Sequence, residues 1–295
     1  MRLIVILNGT RQKTERFRRW KKLLSQHHEV EVISTQYAGH AEELARAAAG
    51  EQPAGILAAG GDGTLHQVLN GLMQFRTDHA DVPQPALGIV PLGTGNDFAT
   101  LCGIRQPEDL IERLKTGGKP TDCGMISSST GIRYFINVAS AGMGPDVVRR
   151  LERDSRWLGP NLTYLRAIVS SFFGYRPEHI VMQDGEGNWN NRIRVLAVAN
   201  GRHFGSGIWV APEALPDDGK LHTFAAADVP LISFLYFLSV IKRGGTIRDK
   251  RARYGSGNTV RLDGSENIRM EADGELVCRL PAEIRIMPQA ITFFR

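Results

Sequence analysis

The chain has little cysteine: three residues in 295, Cys102, Cys123 and Cys278, far apart and with no Cys-x-x-Cys pair. An odd, scattered set excludes a disulfide framework and a structural zinc site, and it points to a reducing compartment. Long apolar runs are also missing. The most apolar segment, VPLISFLYFLSVI at 229–241, falls short of the ~20 residues that span a bilayer. It reads as a helix packed on a sheet, or as a helix lying on a membrane surface, because KRGG follows at once. The early run LIVIL is too short for a signal peptide, has no small-residue cleavage site and reads as a first buried strand. Charge of one sign is not concentrated. The net charge of +5 is below what dedicated nucleic-acid binders carry, so no nucleic-acid partner is expected. That surplus suits anionic small molecules or an anionic membrane surface. There is no low-complexity tract, and the eight histidines show no HExxH or other metal spacing.

What is present is an ordinary globular composition, 42% hydrophobic and 23% charged, with a change of texture partway along. Up to about residue 124, strand and helix signals alternate, the pattern of a parallel sheet covered by helices. Strands are expected at RLIVIL, EVEVIST, GILAAG and ALGIVPL. Helices are expected at TERFRRWKKLLSQH, with Phe17, Trp20, Leu23 and Leu24 on one side, and at HAEELARAAAG. Others are expected at TLHQVLNGLMQF, with Leu65, Val68, Leu69 and Leu72 on one face, at NDFATLCG and at PEDLIERLKTG. Beyond GGKPTDCGMI come short alternating runs: RYFINVAS, HIVMQD, IRVLAVAN, IWVAP, KLHTFAAA, NTVRLDG, IRMEADG, EIRIMP and ITFFR. They predict a mostly antiparallel β-sandwich, interrupted by helices at LTYLRAIVSSFFG and PLISFLYFLSVIKR.

Residues 58–67, AAGGDGTLHQ, end a buried strand and open a helix. Helix N-termini offer N–H groups and partial positive charge, and glycines let the backbone approach an anion, so this stretch suits a phosphate. Thr64 suits either the helix N-cap or a hydroxyl donor to a phosphate oxygen. Asp62 would repel phosphate directly, which implies magnesium, water or a sugar hydroxyl as mediator. A plain strand–turn–helix bend explains two glycines but not the Asp-Gly-Thr that follows. Residues 91–97, PLGTGND, repeat the arrangement one strand later. Loops at the carboxyl ends of adjacent parallel strands share one crevice. The two loops predict a polyphosphate cradle with Asn96 and Asp97 at its rim, where the same pair also suits N-capping of FATLCG. Neither GxGxxG nor GxxxxGK[ST] is present, which weakens ordinary dinucleotide-binding and P-loop readings.

GGDGT followed by PLGTGNDFA resembles the diacylglycerol kinase catalytic family and, within it, the bacterial YegS-like lipid kinases; GGDGT alone also resembles NAD kinases. LNGT at 7–10, TDCGMI, YFINVASAGMG, NGRHFGSGIWVAPEALPDDGKL and EADGEL extend the likeness to nearly the whole chain. The resemblance implies a Rossmann-like three-layer α/β domain of the NAD kinase and diacylglycerol kinase type over 1–124. The C-terminal tail 282–295 would complete it, and a β-sandwich lipid domain would occupy 125–281. ATP would sit in the crevice between domains, touched by Thr35, by Gly61, Asp62, Gly63, Thr64, Leu65, His66 and Gln67, and by Thr94 beside Asn96 and Asp97. Glu275 would be the general base. Leu215 and Lys220 carbonyls with the Asp218 carboxylate would hold magnesium, or calcium in its place. The lipid substrate, of phosphatidylglycerol or diacylglycerol type, would be met at the membrane surface by a cytoplasmic, transiently membrane-associated enzyme. A homodimer is left open.

These roles make chemical sense. Phosphoryl transfer needs positioning, charge neutralisation and a base for the attacking hydroxyl. Glu275 follows Asp273-Gly274 in an expected turn able to aim a carboxylate into a cleft; without the resemblance it reads as a solvated hairpin acid. Residues 216–219, PDDG, read alone as a plain turn, although oxygen ligands suit magnesium. An ion there, away from the phosphate loops, would be structural or allosteric, with the catalytic magnesium riding on ATP near Asp62 and Asp97.

Some residues depart from the family pattern. Gln67 stands where relatives commonly carry glutamate, Asn8-Gly9 lacks a common proline, and Ser206 interrupts a glycine run. His66 reads more readily as packed or solvated than as catalytic. Arg16, Arg18, Arg19, Lys21 and Lys22 read as a solvated helix face, with anionic lipid contact as the alternative. KRGGTIRDKRARY at 242–254 is the better lipid candidate, since it follows the apolar segment. Two other functions stay open. An NAD kinase-like nucleotide kinase is opposed by GTGNDFA, and a non-catalytic nucleotide or lipid sensor is opposed by intact Asp62, Asp97 and Glu275.

Overall fold

A computed structural model describes residues 1–11, 14–153, 160–205 and 207–295, so Ser206 lies outside the described residues. The chain divides into two units, Met1–Thr121 with Gln289–Arg295, and Asp122–Pro288.

The first unit alternates as its apolar periods demand: β1 (Arg2–Leu7), α1 (Glu15–His27), β2 (Glu29–Ser34), α2 (His40–Gly50), β3 (Gly55–Gly60), α3 (Asp62–Asp78), β4 (Ala86–Pro91), α4 (Asp97–Leu101) and α5 (Pro107–Thr116). β3 and β4 are buried along their whole length, as parallel strands covered on both faces must be. The Thr14 hydroxyl accepts the Phe17 N–H at 3.3 Å and starts α1, which buries Phe17, Trp20 and Leu24 and leaves Leu23 half-buried. Arg16, Arg18, Arg19, Lys21 and Lys22 are all exposed, a solvated face. The parallel order is β2-β1-β3-β4, with Phe293 beside Leu87 of β4. Winding reverses at β1, so right-handed crossovers place α1 on one face and α2 and α3 on the other. α2 packs on α3 and α1 on α5, which makes three layers. Leu65, Val68, Leu69 and Leu72 are buried as their spacing requires.

The second unit contains most of β5 (Lys119–Ser128), then β6 (Gly131–Phe135), β7 (Val138–Gly142), α6 (Gly144–Arg153), α7 (Pro160–Gly174), β8 (Glu178–Asp184), β9 (Gly187–Ala199), β10 (His203–Phe204), β11 (Ile208–Trp209) and β12 (Leu221–Ala227). It continues with α8 (Leu231–Lys242), β13 (Ala252–Gly257), β14 (Thr259–Gly264), β15 (Arg269–Ala272), β16 (Glu275–Arg279) and the start of β17 (Ala282–Phe293). Its pairings are antiparallel, and β8 alternates between buried and open positions. One apolar cluster fills the β layers; a second joins α7 and α8 to β9 and β12 through Ile168, Phe172, Phe234, Phe237, Ala197 and Phe224. RYFINVAS is two strands, broken at Ile136-Asn137, and EIRIMP and ITFFR are one strand. β5, α6, β10, β13 and β16 have no counterpart in the sequence reading. GPDVVRRLER opens on Gly-Pro, ARYGSG is glycine-rich, and ELVCR is short and only half-buried.

Candidate active site

In a parallel sheet, ligand crevices open at the carboxyl ends of strands where the winding reverses. Here that point lies between β1 and β3 and is occupied by Asn8 and the Gly61–Thr64 stretch. Asn8 N–H donates to Ala59 O at 2.9 Å, and its Nδ2 lies 3.4 Å from the Thr64 hydroxyl. Thr35 follows β2 and accepts the Gly9 N–H on its hydroxyl at 3.0 Å, which holds the turn after β1. Thr35 and Thr64 therefore stand at the carboxyl ends of β2 and β3, the two strands that flank β1, joined through Asn8-Gly9 after β1.

The two glycine loops are locked together. Leu92 and Gly93 N–H both donate to Gly60 O, at 2.7 and 3.0 Å. A Cβ on Gly93 would overlap the Gly61 Cα and come within 2.8 Å of Asn96 Oδ1, so only glycine permits this approach. Asn96 adopts a left-handed conformation, φ 53°, and its side chain turns back to Gly93, accepting N–H at 3.0 Å and donating to O at 2.8 Å. It does not cap α4. That role falls to Asp62: its Oδ2 and Oδ1 accept the N–H groups of Asp97 and Phe98 at 3.3 and 3.4 Å.

α3 also begins earlier than TLHQ suggests. Gly61 is its N-cap, and Asp62, Gly63 and Thr64 form its first turn. The N-cap reading of Thr64 is thus corrected; Gly61 takes the extended backbone a cap needs, and the Leu65 N–H reaches Gly61 O at 3.1 Å. Thr64 and Asp97 are buried, Thr94 is exposed, and Gln67 is half-buried. Leu65 lies in the core, and His66 is packed against Asn70, whose Nδ2 donates to His66 O at 2.8 Å.

In the second unit, Asp273-Gly274 links β15 to β16 as a two-residue turn with both φ positive, 51° and 88°. The buried Asp273 carboxylate accepts N–H from Ile136, Asn137 and Val138 at 3.0–3.2 Å, which is why the strand breaks there. Glu275, half-buried, is the first residue of β16, opposite Ala272. The buried Glu271 accepts the Gly274 N–H at 3.0 Å and bonds the Ser140 hydroxyl. Burial pushes its carboxyl up to about 8 against those two hydrogen bonds, with Asp273 and Glu275 adding to the rise.

The turn at 216–219 closes on Asp218. Its carboxylate accepts the Leu215 and Lys220 N–H groups at 3.2 and 2.9 Å and lies 2.9 Å from His222 Nε2. The Asp218 carboxylate with the Leu215 and Lys220 carbonyls would supply oxygen donors alone, a chemistry that suits magnesium or calcium. Among the described residues, no group of three or more His, Cys, Asp or Glu is arranged to hold a metal. Asn200 and Asp122, which periodicity does not single out, tie this turn to the strand break. Gly219 N–H donates to Asp122 Oδ2 at 2.7 Å, and Asn200 Nδ2 donates to Asp122 O and Ile136 O at 2.9 and 2.7 Å.

Residues 2–126 match the family described as "Diacylglycerol kinase catalytic domain", and residues 137–295 match "YegS C-terminal NAD kinase beta sandwich-like domain". The "Probable lipid kinase YegS-like" of Cronobacter sakazakii is 33% identical over 222 residues, covering 74% of this chain and 72% of its own. A Bacillus subtilis protein named "Diacylglycerol kinase" is 28% identical over 260 residues, covering 87% and 82%. A crystal structure of a diacylglycerol kinase from Bacillus anthracis str. Sterne has a TM-score of 0.71 at 18% identity, covering 99% of this chain and 96% of that one. That last likeness carries the fold.

Proposed function

This chain belongs to the YegS-like lipid kinase family, with its diacylglycerol kinase catalytic domain, and from that premise we propose that it transfers the γ-phosphoryl group of ATP to a lipid hydroxyl. The observation that carries the reading is the interlock of the two glycine loops at the carboxyl edge of the parallel sheet, with Asp62 capping α4. Gly61, Gly63 and Thr64 at the start of α3, with Thr94 and Thr35, bind the phosphates. Core-facing Leu65 and His66 support that turn from behind, and Gln67 lies at its edge. Glu275 takes the proton from the lipid hydroxyl. The freed oxygen forms the new bond to the γ-phosphorus as the bond to the β–γ bridging oxygen breaks, and ADP leaves. Magnesium on the phosphates, beside Asp97, would supply charge neutralisation. Leu215, Asp218 and Lys220 would hold a second ion as a staple of their turn.

The lipid, of phosphatidylglycerol or diacylglycerol type, is met at a membrane surface. Among the described residues no helix is long and apolar enough to cross a membrane. α8 buries Phe234, Phe237, Leu238 and Ile241 on one side and presents Ile232, 84% exposed, with Leu235 and Tyr236 on the other. Phe173 of α7 is 69% exposed, and its ring meets Phe172, whose own ring lies 4.9 Å from Phe234 on the buried side of α8. Exposed Arg176, Lys242, Arg243, Arg248 and Lys250 flank these residues in sequence and complement anionic headgroups.

The test is transfer of label from γ-labelled ATP to a lipid panel, with NAD in parallel and products identified by mass spectrometry. A phosphorylated lipid supports the reading; product from NAD alone, or none from any acceptor, sinks it.

A further inference from the structure

Glu271 is fully buried, and normal alternation turns its carboxyl to the face of β15 opposite the apolar cluster that Met270 and Ala272 join. That face is covered by α6, so the carboxyl is enclosed with the pairing of β15 to β7 regular throughout; the irregularity at Met270/Glu271 belongs to the pairing with β16. Glu271 lies opposite Ser140 of β7, and both residues are 0% exposed. One carboxyl oxygen bonds the Ser140 hydroxyl, and the other accepts the Gly274 N–H at 3.0 Å. α6 packs over β7 and β15 on the face that carries Ser140 and Glu271, and its first residue is glycine. A Cβ on Gly144 would overlap the Ser140 hydroxyl oxygen, so the helix seats on the pair only because none is there.

Burying a carboxyl costs free energy that an apolar residue would not, so the group needs a reason to be there. Its bond to Gly274 offers one. The Asp273 carboxylate anchors the start of the turn to the N–H groups of 136–138, and Glu271 anchors its end. Gly274 is the last residue before Glu275, so the direction in which Glu275 leaves the turn is set by the peptide that Glu271 holds. We propose that Glu271 is a positioning residue for Glu275, through the Ser140–Glu271–Gly274 hydrogen bonds. The inference rests on the general-base role given to Glu275 above.

Protonation bears on this geometry. The Gly274 N–H can only donate, so the oxygen facing it always accepts. When Glu271 is neutral, its O–H donates to Ser140; when it ionises, Ser140 must turn and donate instead. The carboxyl is held up to about 8, mainly by burial, with Asp273 and Glu275 of the same hairpin raising it further. From β7 it faces the Ser140 hydroxyl, and from α6 the backbone of Gly144; α6 also carries Asp146 and Arg149 as an ion pair at 3.2 Å, and Arg150. Near neutrality Glu271 keeps its proton. Above about 8 the new charge repels Glu275 and Asp273 across one turn. The stability consequence has a definite sign. The folded chain keeps a proton that the unfolded chain releases near 4.5, so stability falls as pH rises from there to about 8.

The experiment compares E271A, E271Q, S140A and E275Q on the full chain. E271A and S140A should lower kcat on the order of 10²-fold while leaving ATP affinity unchanged, because a displaced base costs turnover and not nucleotide binding. E271Q imitates the neutral carboxyl. It should recover much of that loss, abolish the fall of kcat above about pH 8, and flatten the decline of Tm with pH. The Gly274 amide signal should titrate in wild type and in E275Q, and be flat in E271Q. Wild-type kcat in E271A and S140A, with turnover lost in E275Q, overturns the inference alone. Retained turnover in E275Q overturns the base assignment and the inference with it. If E271A does not fold, S140A and E271Q carry the same comparison.

Discussion

Asp62 of the first glycine loop holds Asp97 of the second by its backbone: the carboxylate oxygens lie 3.3 and 3.4 Å from the N–H groups of Asp97 and Phe98. The two loops are thereby one object, with an acid from one helix start serving the other. An acid at the first turn of α3 also complements that helix's dipole. The charge that looks misplaced beside phosphates is spent on the protein's own N–H groups.

Replacing Asp62 should therefore destabilise the fold without any ligand present. D62A should lose about 1–2 kcal/mol in denaturant unfolding, the usual range for a lost cap. D62N keeps one acceptor and should lose less. ATP affinity, read by calorimetry, should fall in both, more in D62A. An unchanged unfolding midpoint in D62A would show that the side chain serves only a bound ion.

Gly93 tests the contact between the loops. An added Cβ meets the Gly61 Cα, which is backbone and cannot swing aside. G93A should lower stability by about 1–3 kcal/mol, as overpacking does, and should abolish measurable ATP binding. G50A is the control, because its Cβ would meet only a Phe75 ring carbon at 3.7 Å. Normal ATP binding in G93A would mean that the loops can separate freely.

Periodicity made the α/β unit legible in the sequence. The runs ending in Leu7, Gly60 and Pro91 are continuous and buried, and Leu65, Val68, Leu69 and Leu72 keep helical spacing. The loops were legible because glycines follow strands. The cap from Asp62 to α4 was not, because it depends on the register of β3 against β4, which brings residues 35 apart in sequence together. Glu271 was hidden for a related reason: it alternates away from Met270 and Ala272, and what buries it is α6, a helix that the sequence pattern did not announce. β16 escaped notice because Glu275–Arg279 is short and half-open, so its place is set by pairing with β15 and not by its own residues.

The turn at 216–219 separates two roles of Asp218. Its carboxylate already holds Leu215, Lys220 and His222, so D218A should lose about 1–3 kcal/mol in a chelator, where no divalent ion can contribute. If Leu215, Asp218 and Lys220 also bind a divalent ion, adding magnesium or calcium should raise the Tm of wild type and leave D218A unmoved. Equal shifts in both proteins would move the ion elsewhere.

The exposed side of α8 gives the last prediction. Ile232 and Tyr236 stand one turn apart, 84% and 62% exposed, on a helix whose other side is buried. Apolar side chains left in water beside basic residues are what an interfacial helix needs, and a carboxylate among them would oppose both the apolar and the electrostatic contribution. I232E and Y236E should reduce sedimentation with vesicles containing phosphatidylglycerol. Wild type should bind phosphatidylcholine vesicles less tightly than anionic ones, with binding falling as salt rises. Turnover on vesicle-presented lipid should drop in the variants, while ATP affinity and turnover on a dispersed short-chain lipid stay at wild-type values. Unchanged vesicle binding in both variants would remove α8 from the membrane contact, and equal loss on dispersed lipid would place these side chains in substrate binding.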